Sequence, residues 1–291
     1  MTMNRCGKSL PKANVERFDA VPLPVAPPVW KRLAASLMPP VLLGLLIVAV
    51  YALLRDSLPP HRQFLMPSAE GLWTQAFGIA AFRQELAERA LFTIGIALSG
   101  LAVSIPAGIL IGIVMFRFLV LEKAVFPYLV ALQSIPVMAI IPLIQSALGF
   151  GFLPKVLIVA LFTFFAIPTT LLLGLKSVDR NILDLFRLQN ASWGVMLRKA
   201  GLPSAAPTLF AGLRISGSLA VIAAIVSELF FLSGPGGLGQ LLMNAKIDFN
   251  YEQMYAALIV ASALSIAVYL IFNWLGNRLF SHWHESSERQ R

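Results

Sequence analysis

Six long apolar runs constrain this chain more than any other feature of its sequence. They cover residues 37–54, 91–116, 125–148, 156–175, 208–232 and 255–275. Each run is close to the ~20 residues that a helix needs to cross the hydrocarbon core of a membrane. Only helices and closed barrels span that core, and barrel strands would alternate polar and apolar residues. Because these runs are apolar on every side, the sequence predicts an all-α membrane protein with six transmembrane helices.

The charged residues between the runs predict how the helices are oriented. Six crossings place both termini on the same side of the membrane. Of the 23 Lys and Arg residues, seventeen lie on the terminus side and six on the other, so the positive-inside rule predicts cytoplasmic termini. This bias, together with affinity for anionic lipid headgroups, accounts for the net charge of +9 without a nucleic-acid partner.

The segments outside the runs divide the chain into predicted parts. Residues 1–36 form a Pro-rich cytoplasmic lead, and no cleavage site follows the first run, so 37–54 is expected to remain as a transmembrane anchor. Residues 55–90 form a periplasmic segment whose stretch GLWTQAFGIAAF has helical apolar spacing and is expected to lie at the membrane interface. A core domain of five transmembrane helices follows over 91–279, and 280–291 form a cytoplasmic tail.

Few residues of this chain suit catalysis or metal binding. The single cysteine, Cys6, excludes a disulfide framework and a Cys/His metal cluster, and the three histidines do not form a ligand set. The chain has no P-loop, so we expect no cofactor of its own, and ATP would have to be bound by a partner.

The third run is unusually polar and contains two prolines. Its polar side chains are Gln133, Ser134, Gln145 and Ser146, and its prolines are Pro136 and Pro142. Proline removes a backbone donor and kinks a helix, and the freed carbonyl groups then need partners in protein or in a water-lined cavity. The run is therefore predicted to line a translocation pathway. The alternative is a polar helix that is buried in a static bundle.

The second and fifth runs contain residues with two interpretations each. Glu228 near the end of the fifth run is an ionisable group in a membrane segment, which favours a functional role in the pathway, although it can instead reach the interface and be solvated. The glycine-rich stretch 234–239 that follows is expected to form a turn-rich mouth. Gly108 and Gly112 in the second run allow close helix packing, but glycine is also common in membrane helices.

The loop at 176–207 is predicted to form two short helices with a break between them. Ile182, Leu185 and Phe186 have helical spacing after a capping residue, Asp179. The break falls at Asn190, and a second helix is expected from Trp193 to residue 200. Ser192 is expected to cap that helix, and Gly201 and Pro203 are expected to end it. Leu185, Phe186, Trp193 and Met196 are then available to pack on the bundle or in the groove of a partner.

This loop resembles the Glu-Ala-Ala coupling motif of binding-protein-dependent ABC transporter permeases. Counted back from Leu202 and Pro203, Asp184 occupies the Glu position, Leu185 and Phe186 occupy the two Ala positions, and Asn190 occupies the Gly position. The sequence departs from the motif at the two bulky residues and at Asn190. The segments IPVMAIIPL, LPSAAPTLFAGLRI and GPGGLGQLL are also similar to permeases that import nitrate, taurine, alkanesulfonates, bicarbonate or pyrimidine precursors.

The resemblance implies a non-catalytic permease subunit with the fold of a type I ABC importer in the bacterial inner membrane. Its partners would be a cytoplasmic ABC ATPase dimer, a periplasmic solute-binding protein and a second permease, either an identical copy or a different chain. The residues implied to couple to the ATPase lie in the 179–203 loop: Asp184, Leu185, Phe186, Asn190, Trp193, Gly201, Leu202 and Pro203.

Two other functions compete with that of an ATP-driven importer. An ion-coupled secondary transporter would usually need more intramembrane ionisable groups than the single acid Glu228. An intramembrane enzyme would need a nucleophile and a base within the runs, and no such pair is visible.

Overall fold

A computed structural model describes residues 29–231 and 234–288 of the 291-residue chain. Every regular element in this part of the chain is a helix. The α-helices are α1 (Val29–Ser57), α2 (Ala69–Leu72), α3 (Ala80–Arg117), α4 (Leu119–Ser134), α5 (Val137–Leu148), α6 (Phe152–Phe164), α7 (Ala166–Lys176), α8 (Arg180–Leu188), α9 (Trp193–Met196), α10 (Leu202–Phe230), α11 (Leu238–Ile247) and α12 (Tyr251–Glu288). The predicted all-α class is therefore confirmed.

The chain divides into two units, residues 1–63 and 64–291. In the first unit, α1 covers the predicted anchor 37–54 and begins at Val29, inside the predicted lead. The remainder of that lead, residues 1–28, lies outside the described residues. In the second unit, α12 continues to Glu288, so the described part of the predicted tail extends the last helix.

Four of the described helices are long and apolar enough to cross a membrane: Ala80–Arg117, Phe152–Lys176, Trp193–Phe230 and Tyr251–Leu279. The pair Leu119–Ser134 and Met138–Leu148 makes a fifth if it crosses as one broken span. Each corresponds to a predicted run in the core domain. The sixth crossing, at 37–54, is helical in the structure but stays a prediction as a membrane span.

The second crossing begins earlier than the apolar run indicates. The helix α3 starts at Ala80 rather than at residue 91, and its 38 residues end at Arg117. The sequence 80–90 contains no Pro or Gly, so its backbone continues the helix even though five of its eleven side chains are polar or charged. The predicted interfacial helix is correspondingly shorter: it consists of α2 and a π-helical turn, Trp73–Phe77, in which Ala76 is fully buried while Trp73 is exposed.

The predicted third span is broken rather than kinked. Its two parts, α4 and α5, meet at an angle of 97°. Ile135 and Pro136 between them have extended backbones, with ψ angles of 124° and 103°. Pro136 lacks an N–H and disfavours a helical conformation at Ile135, which explains why the break falls here. Pro142 lies inside α5 and does not end it.

A row of small residues brings α3 close to α6 and α7. Gly100, Ser104, Gly108 and Gly112 follow at intervals of four and are all buried. A Cβ atom at Gly108 would lie 2.8 Å from Ile167, and one at Gly112 would lie 2.9 Å from Leu171. The helices therefore approach at distances that only glycine allows, which confirms the packing role of Gly108 and Gly112.

Candidate functional site

The first half of the 179–203 loop folds as the sequence predicts. Asp179 caps α8, because its Oδ1 accepts a 2.9 Å hydrogen bond from the Asn181 N–H. The helix ends at Leu188, and Asn190 follows with a φ of +48°. Asparagine tolerates this left-handed conformation better than most residues do, so the chain reverses at the position where the coupling motif has glycine.

An exposed apolar stripe runs along α8. Ile182 is 41% exposed, Leu185 is 58% exposed and Leu188 is 81% exposed, and their spacing of three places them on one side of the helix. Phe186 is half-buried. Asp184 accepts a 2.9 Å hydrogen bond from Arg187 in an exposed ion pair, which stabilises the helix by only a few tenths of a kcal/mol.

Trp193, at the start of α9, is half-buried and packs against the bundle. It contacts a core cluster formed by Leu171, Leu175, Leu197 and Ala205. The guanidinium carbon of Arg117 lies 5.4 Å from the ring centroid, which is the range of a cation–π contact. The apolar residues of the loop therefore take both predicted roles. Trp193 packs on the bundle, whereas the α8 stripe is exposed and available to a partner.

The end of the second short helix is not where the sequence predicts it. Ser192 occupies the N-cap position of α9, but no hydrogen bond of its side chain caps the helix. Gly201 has a helical φ of −60°, so it is not a left-handed C′ residue. The helix continues from α9 through a π-helical turn, Leu197–Gly201, into α10.

Pro203 lies inside this continuous helix instead of stopping it. It follows directly after the π-helical turn, where the regular α-helical hydrogen-bond ladder is already interrupted. Leu202 packs on the same cluster as Trp193. Gly201 is buried, and a Cβ atom there would lie 3.2 Å from both Leu175 and Leu197. The Gly-Leu-Pro end of the coupling motif thus joins the loop rigidly to a membrane helix.

The residues predicted to line a pathway lie in separate places. Gln133 and Ser134 are exposed at the end of α4, and Gln133 lines a cavity of about 300 Å³. Gln145 and Ser146 lie on α5, where the Ser146 hydroxyl donates 2.8 Å to the Pro142 carbonyl of its own helix. Glu228 is on α10. The break at Pro136 separates the first pair from the second along the chain.

Glu228 is fully buried, so the interpretation in which it is solvated at the interface is wrong. The Thr93 hydroxyl donates 3.0 Å to its Oε2, and the Gly239 N–H donates 2.9 Å to the same atom. The Leu238 N–H in turn donates 2.9 Å to the Thr93 hydroxyl oxygen. The carboxyl group therefore joins α3 and α10 to the first turn of α11, where the free N–H groups of a helix start favour an anion.

Three further side chains hold the 234–237 loop. Arg89 donates 2.8 Å to the Gly236 carbonyl and 2.9 Å to Oε1 of Gln240. Lys155, which is 1% exposed, donates 2.8 Å to the Pro235 carbonyl. The Gln240 side chain donates 3.2 Å to the Gly234 carbonyl. The buried side chains Thr93, Lys155, Glu228 and Gln240, together with the half-buried Arg89, form what we call the buried polar cluster.

The sequence interpretation missed four members of the buried polar cluster. Arg89 and Lys155 belong to the six Lys and Arg residues that are predicted to lie opposite the termini, and Thr93 and Gln240 belong to no predicted site. The signal that points to them is the glycine-rich stretch itself, because a tight loop leaves carbonyl groups that need donors. Within the described residues, no group of three or more His, Cys, Asp or Glu side chains is placed to hold a metal ion.

The sequence of this chain is similar to those of several known proteins. The sequence pattern of the family described as binding-protein-dependent transport system inner membrane component matches residues 104–282. The formylaminopyrimidine transport permease protein ThiX of Halalkalibacterium halodurans is 36% identical over 187 residues, which is 64% of this chain and 74% of that protein. A probable ABC transporter permease protein of Haemophilus influenzae is 30% identical over 219 residues, which is 75% of this chain and 86% of that protein.

The fold is also that of solved transporters. An inward-facing structure of the MetNI methionine ABC transporter superimposes with a TM-score of 0.52 at 20% identity, over 74% of this chain and 99% of that chain. The family match covers more than half of the sequence. This chain therefore belongs to the binding-protein-dependent transport system inner membrane components and is a non-catalytic permease subunit of an ABC importer in the bacterial inner membrane.

Proposed function

We propose that this permease forms the translocation pathway for a small polar solute that a periplasmic binding protein delivers. A cytoplasmic ATPase dimer drives it through the 179–203 loop and binds the ATP. A second copy of the chain completes the pathway. When the ATPase dimer closes on ATP, the loop moves with it, and the helices that are joined to the loop rock between inward- and outward-open arrangements.

The exposed apolar stripe of α8 is the observation that carries this proposal. Leu185 and Leu188 stand out from a capped helix in a loop that faces the predicted cytoplasm. Burying a leucine side chain in a partner's groove stabilises a complex by roughly 1.5–3 kcal/mol before ordering costs. An amphipathic helix that presents such a stripe fits the helix-in-groove mode of protein recognition.

The connection from α8 to the membrane supports the coupling part of the proposal. Asn190 turns the chain, Trp193 and Leu202 pack on the bundle, and the helix then continues without a stop into α10. A force applied at α8 is therefore transmitted to a membrane helix by packed side chains and a continuous helix, rather than through a flexible linker.

The solute part rests on the relatives and on Gln133. ThiX is named for the transport of formylaminopyrimidine, and MetNI is named for methionine. Both are small polar molecules. Gln133 lines a cavity in this chain. As pathway residues, Gln133, Ser134, Gln145, Ser146 and Glu228 all stay predictions.

Replacing one stripe residue tests the proposal. Leu185→Asp puts a charge in the middle of the docking stripe, where it would be desolvated without a partner. We expect at least a roughly tenfold loss of ATPase co-purification, which corresponds to about 1.4 kcal/mol, and a matching loss of stimulated ATP hydrolysis. The amount of permease in the membrane should not change, because Leu185 is exposed.

Arg187→Gln is the matched control. It changes the charge of α8 by the same −1, but its position lies nearly opposite Leu185, because successive helical residues turn by about 100°. ATPase binding should survive this change. If Leu185→Asp binds and stimulates the ATPase like the wild type, α8 is not the docking element. Transport by the purified chain without any ATPase would instead support an ion-coupled carrier.

A further inference from the structure

The cavity beside the break between α4 and α5 has the size and the lining expected of a solute-binding site. Its volume is about 300 Å³, which is at the lower end of the range for small-molecule pockets. Four helical segments enclose it, and its lining residues are Leu132, Gln133, Ile140, Leu161, Phe162, Phe165 and Leu219. Gln133 is also exposed, so the cavity reaches the protein surface on the side where this residue lies.

The helix break places polar backbone groups beside the cavity. At membrane depth, burying such groups without hydrogen-bond partners costs free energy. Residue 136 is proline, so the Leu132 carbonyl has no N–H partner four residues along the chain. Non-helical backbone at membrane depth is tolerated where it is buried in protein or lines a water-filled cavity. Leu132 and Gln133 both line the cavity, so we expect carbonyl acceptors and a side-chain amide there for a ligand.

The rest of the lining is aromatic and aliphatic. Phe162 and Phe165 are three residues apart on the α6 side of the cavity, so they lie on one face of that helical segment. Phenylalanine rings favour a planar, polarisable ligand that stacks on them or meets their edges. None of the lining residues is charged. A charged solute would therefore lose its hydration without gaining an ion pair.

We propose that this cavity binds an uncharged, planar heteroaromatic solute that carries N–H groups. The ring contacts Phe162 and Phe165, and its N–H groups donate to the carbonyl groups at the helix break. The Gln133 amide hydrogen-bonds to the polar edge of the ring. This inference rests on the proposed function, because it names the class of solute for the pathway. It concerns binding within one chain, so it is tested separately from ATPase coupling.

Saturation-transfer difference NMR on the full chain in lipid nanodiscs tests the site. Uracil is the probe, since it is uncharged and planar and carries two N–H donors, and propanesulfonate is the charged comparison. We expect saturation transfer to uracil and none to propanesulfonate. Gln133→Leu should weaken uracil binding about fivefold, because one hydrogen-bonding partner is lost. Phe162→Leu should weaken it about fivefold or more through lost stacking.

Two control variants separate site contacts from general effects on folding. Phe164→Leu makes the same change two residues from Phe162, at a residue that packs against Met115 and Leu129. Gln84→Leu repeats the glutamine change at the exposed start of α3. Both should bind uracil like the wild type. Equal transfer to propanesulfonate, absence of transfer to uracil, or wild-type binding by Gln133→Leu would each overturn the proposal.

The outcomes also separate this inference from the proposed function. If uracil does not bind while Leu185→Asp still abolishes ATPase coupling, the importer stands and the solute class is wrong. If uracil binds and Gln133→Leu weakens it while the chain does not couple to any ATPase, the site stands and the proposed function is wrong.

Discussion

Glu228 illustrates at the scale of one residue how a buried carboxyl group is held in a membrane helix. Its oxygens accept hydrogen bonds from the Thr93 hydroxyl and from the Gly239 N–H, and Thr93 also accepts from the Leu238 N–H. There is no room for a side chain at Gly237, because a Cβ atom there would collide with Thr93 and Glu228. Each of these polar groups therefore has a specific hydrogen-bond partner, and polar groups need such partners to be buried without a large loss of stability.

Thr93→Val is the prediction at this scale. The substitution keeps the shape of the side chain but removes the donor to Glu228 and the acceptor for Leu238. We expect a loss of about 1–3 kcal/mol, the cost of leaving buried polar groups without partners. A lower melting temperature of the purified permease should report it. Thr169→Val is the matched control, since that hydroxyl donates to carbonyl groups of its own turn. Equal melting shifts for both variants would argue against the role of Thr93.

At the scale of elements, the seam of small residues decides how α3 packs. A Cβ atom at Gly108 would lie 2.8 Å from Ile167 of α7, whereas one at Gly95 of the same helix would meet nothing within 4 Å. The same chemical change is therefore expected to have opposite effects at the two positions. Close approach of the helices also buries the Thr163 hydroxyl, which donates 2.9 Å to Ser104 and adds a polar link between α6 and α3.

Gly108→Ala should destabilise the permease by about 1–3 kcal/mol, because an added methyl group forces two packed helices apart. Gly95→Ala should be neutral or stabilising by up to about 1 kcal/mol, because alanine favours the helix. Melting temperatures of the two variants, measured side by side in the same detergent, check this. A stable Gly108→Ala variant would mean that α3 and α7 do not approach as closely as described.

At the scale of the whole molecule, the broken span α4–α5 sets the topology of everything that follows it. If the pair crosses the membrane once, Phe118 before it and Phe150 after it lie on opposite sides. If it enters and leaves on the same face, the two lie on one side, and the later helices are inverted. The positive-inside count favours a crossing, with Phe118 in the cytoplasm.

Labelling of single cysteines tests this topology. In a background with Cys6→Ser, we expect a membrane-impermeant maleimide to label Phe150→Cys and Ile247→Cys from the periplasmic side. Phe118→Cys and Leu188→Cys should react only after the membrane is permeabilised. All four side chains are more than half exposed, so access is not limited by packing. Labelling of Phe118→Cys and Phe150→Cys from the same side would contradict the crossing.

Local chemistry explains which features the sequence predicted correctly. The apolar runs, the Asp179 cap and the turn at Asn190 each depend on residues that are adjacent or one helical turn apart. Family resemblance added the identity of the loop. Both kinds of signal are present in the linear order of residues, so no knowledge of distant contacts was needed.

The sequence by itself determined an all-helical chain with long apolar crossings and a capped helix in the 176–207 loop. Only the tertiary structure decided that Trp193 packs on the bundle, that Pro203 lies inside a continuous helix, and that the third run breaks by 97° beside a cavity. It alone also brought Thr93 to Glu228, 135 residues away, and Arg89 to the 234–237 loop. The physical reason is that a buried polar group is stabilised by whichever partner the packed helices bring within hydrogen-bond distance, and that partner has no fixed spacing in the sequence.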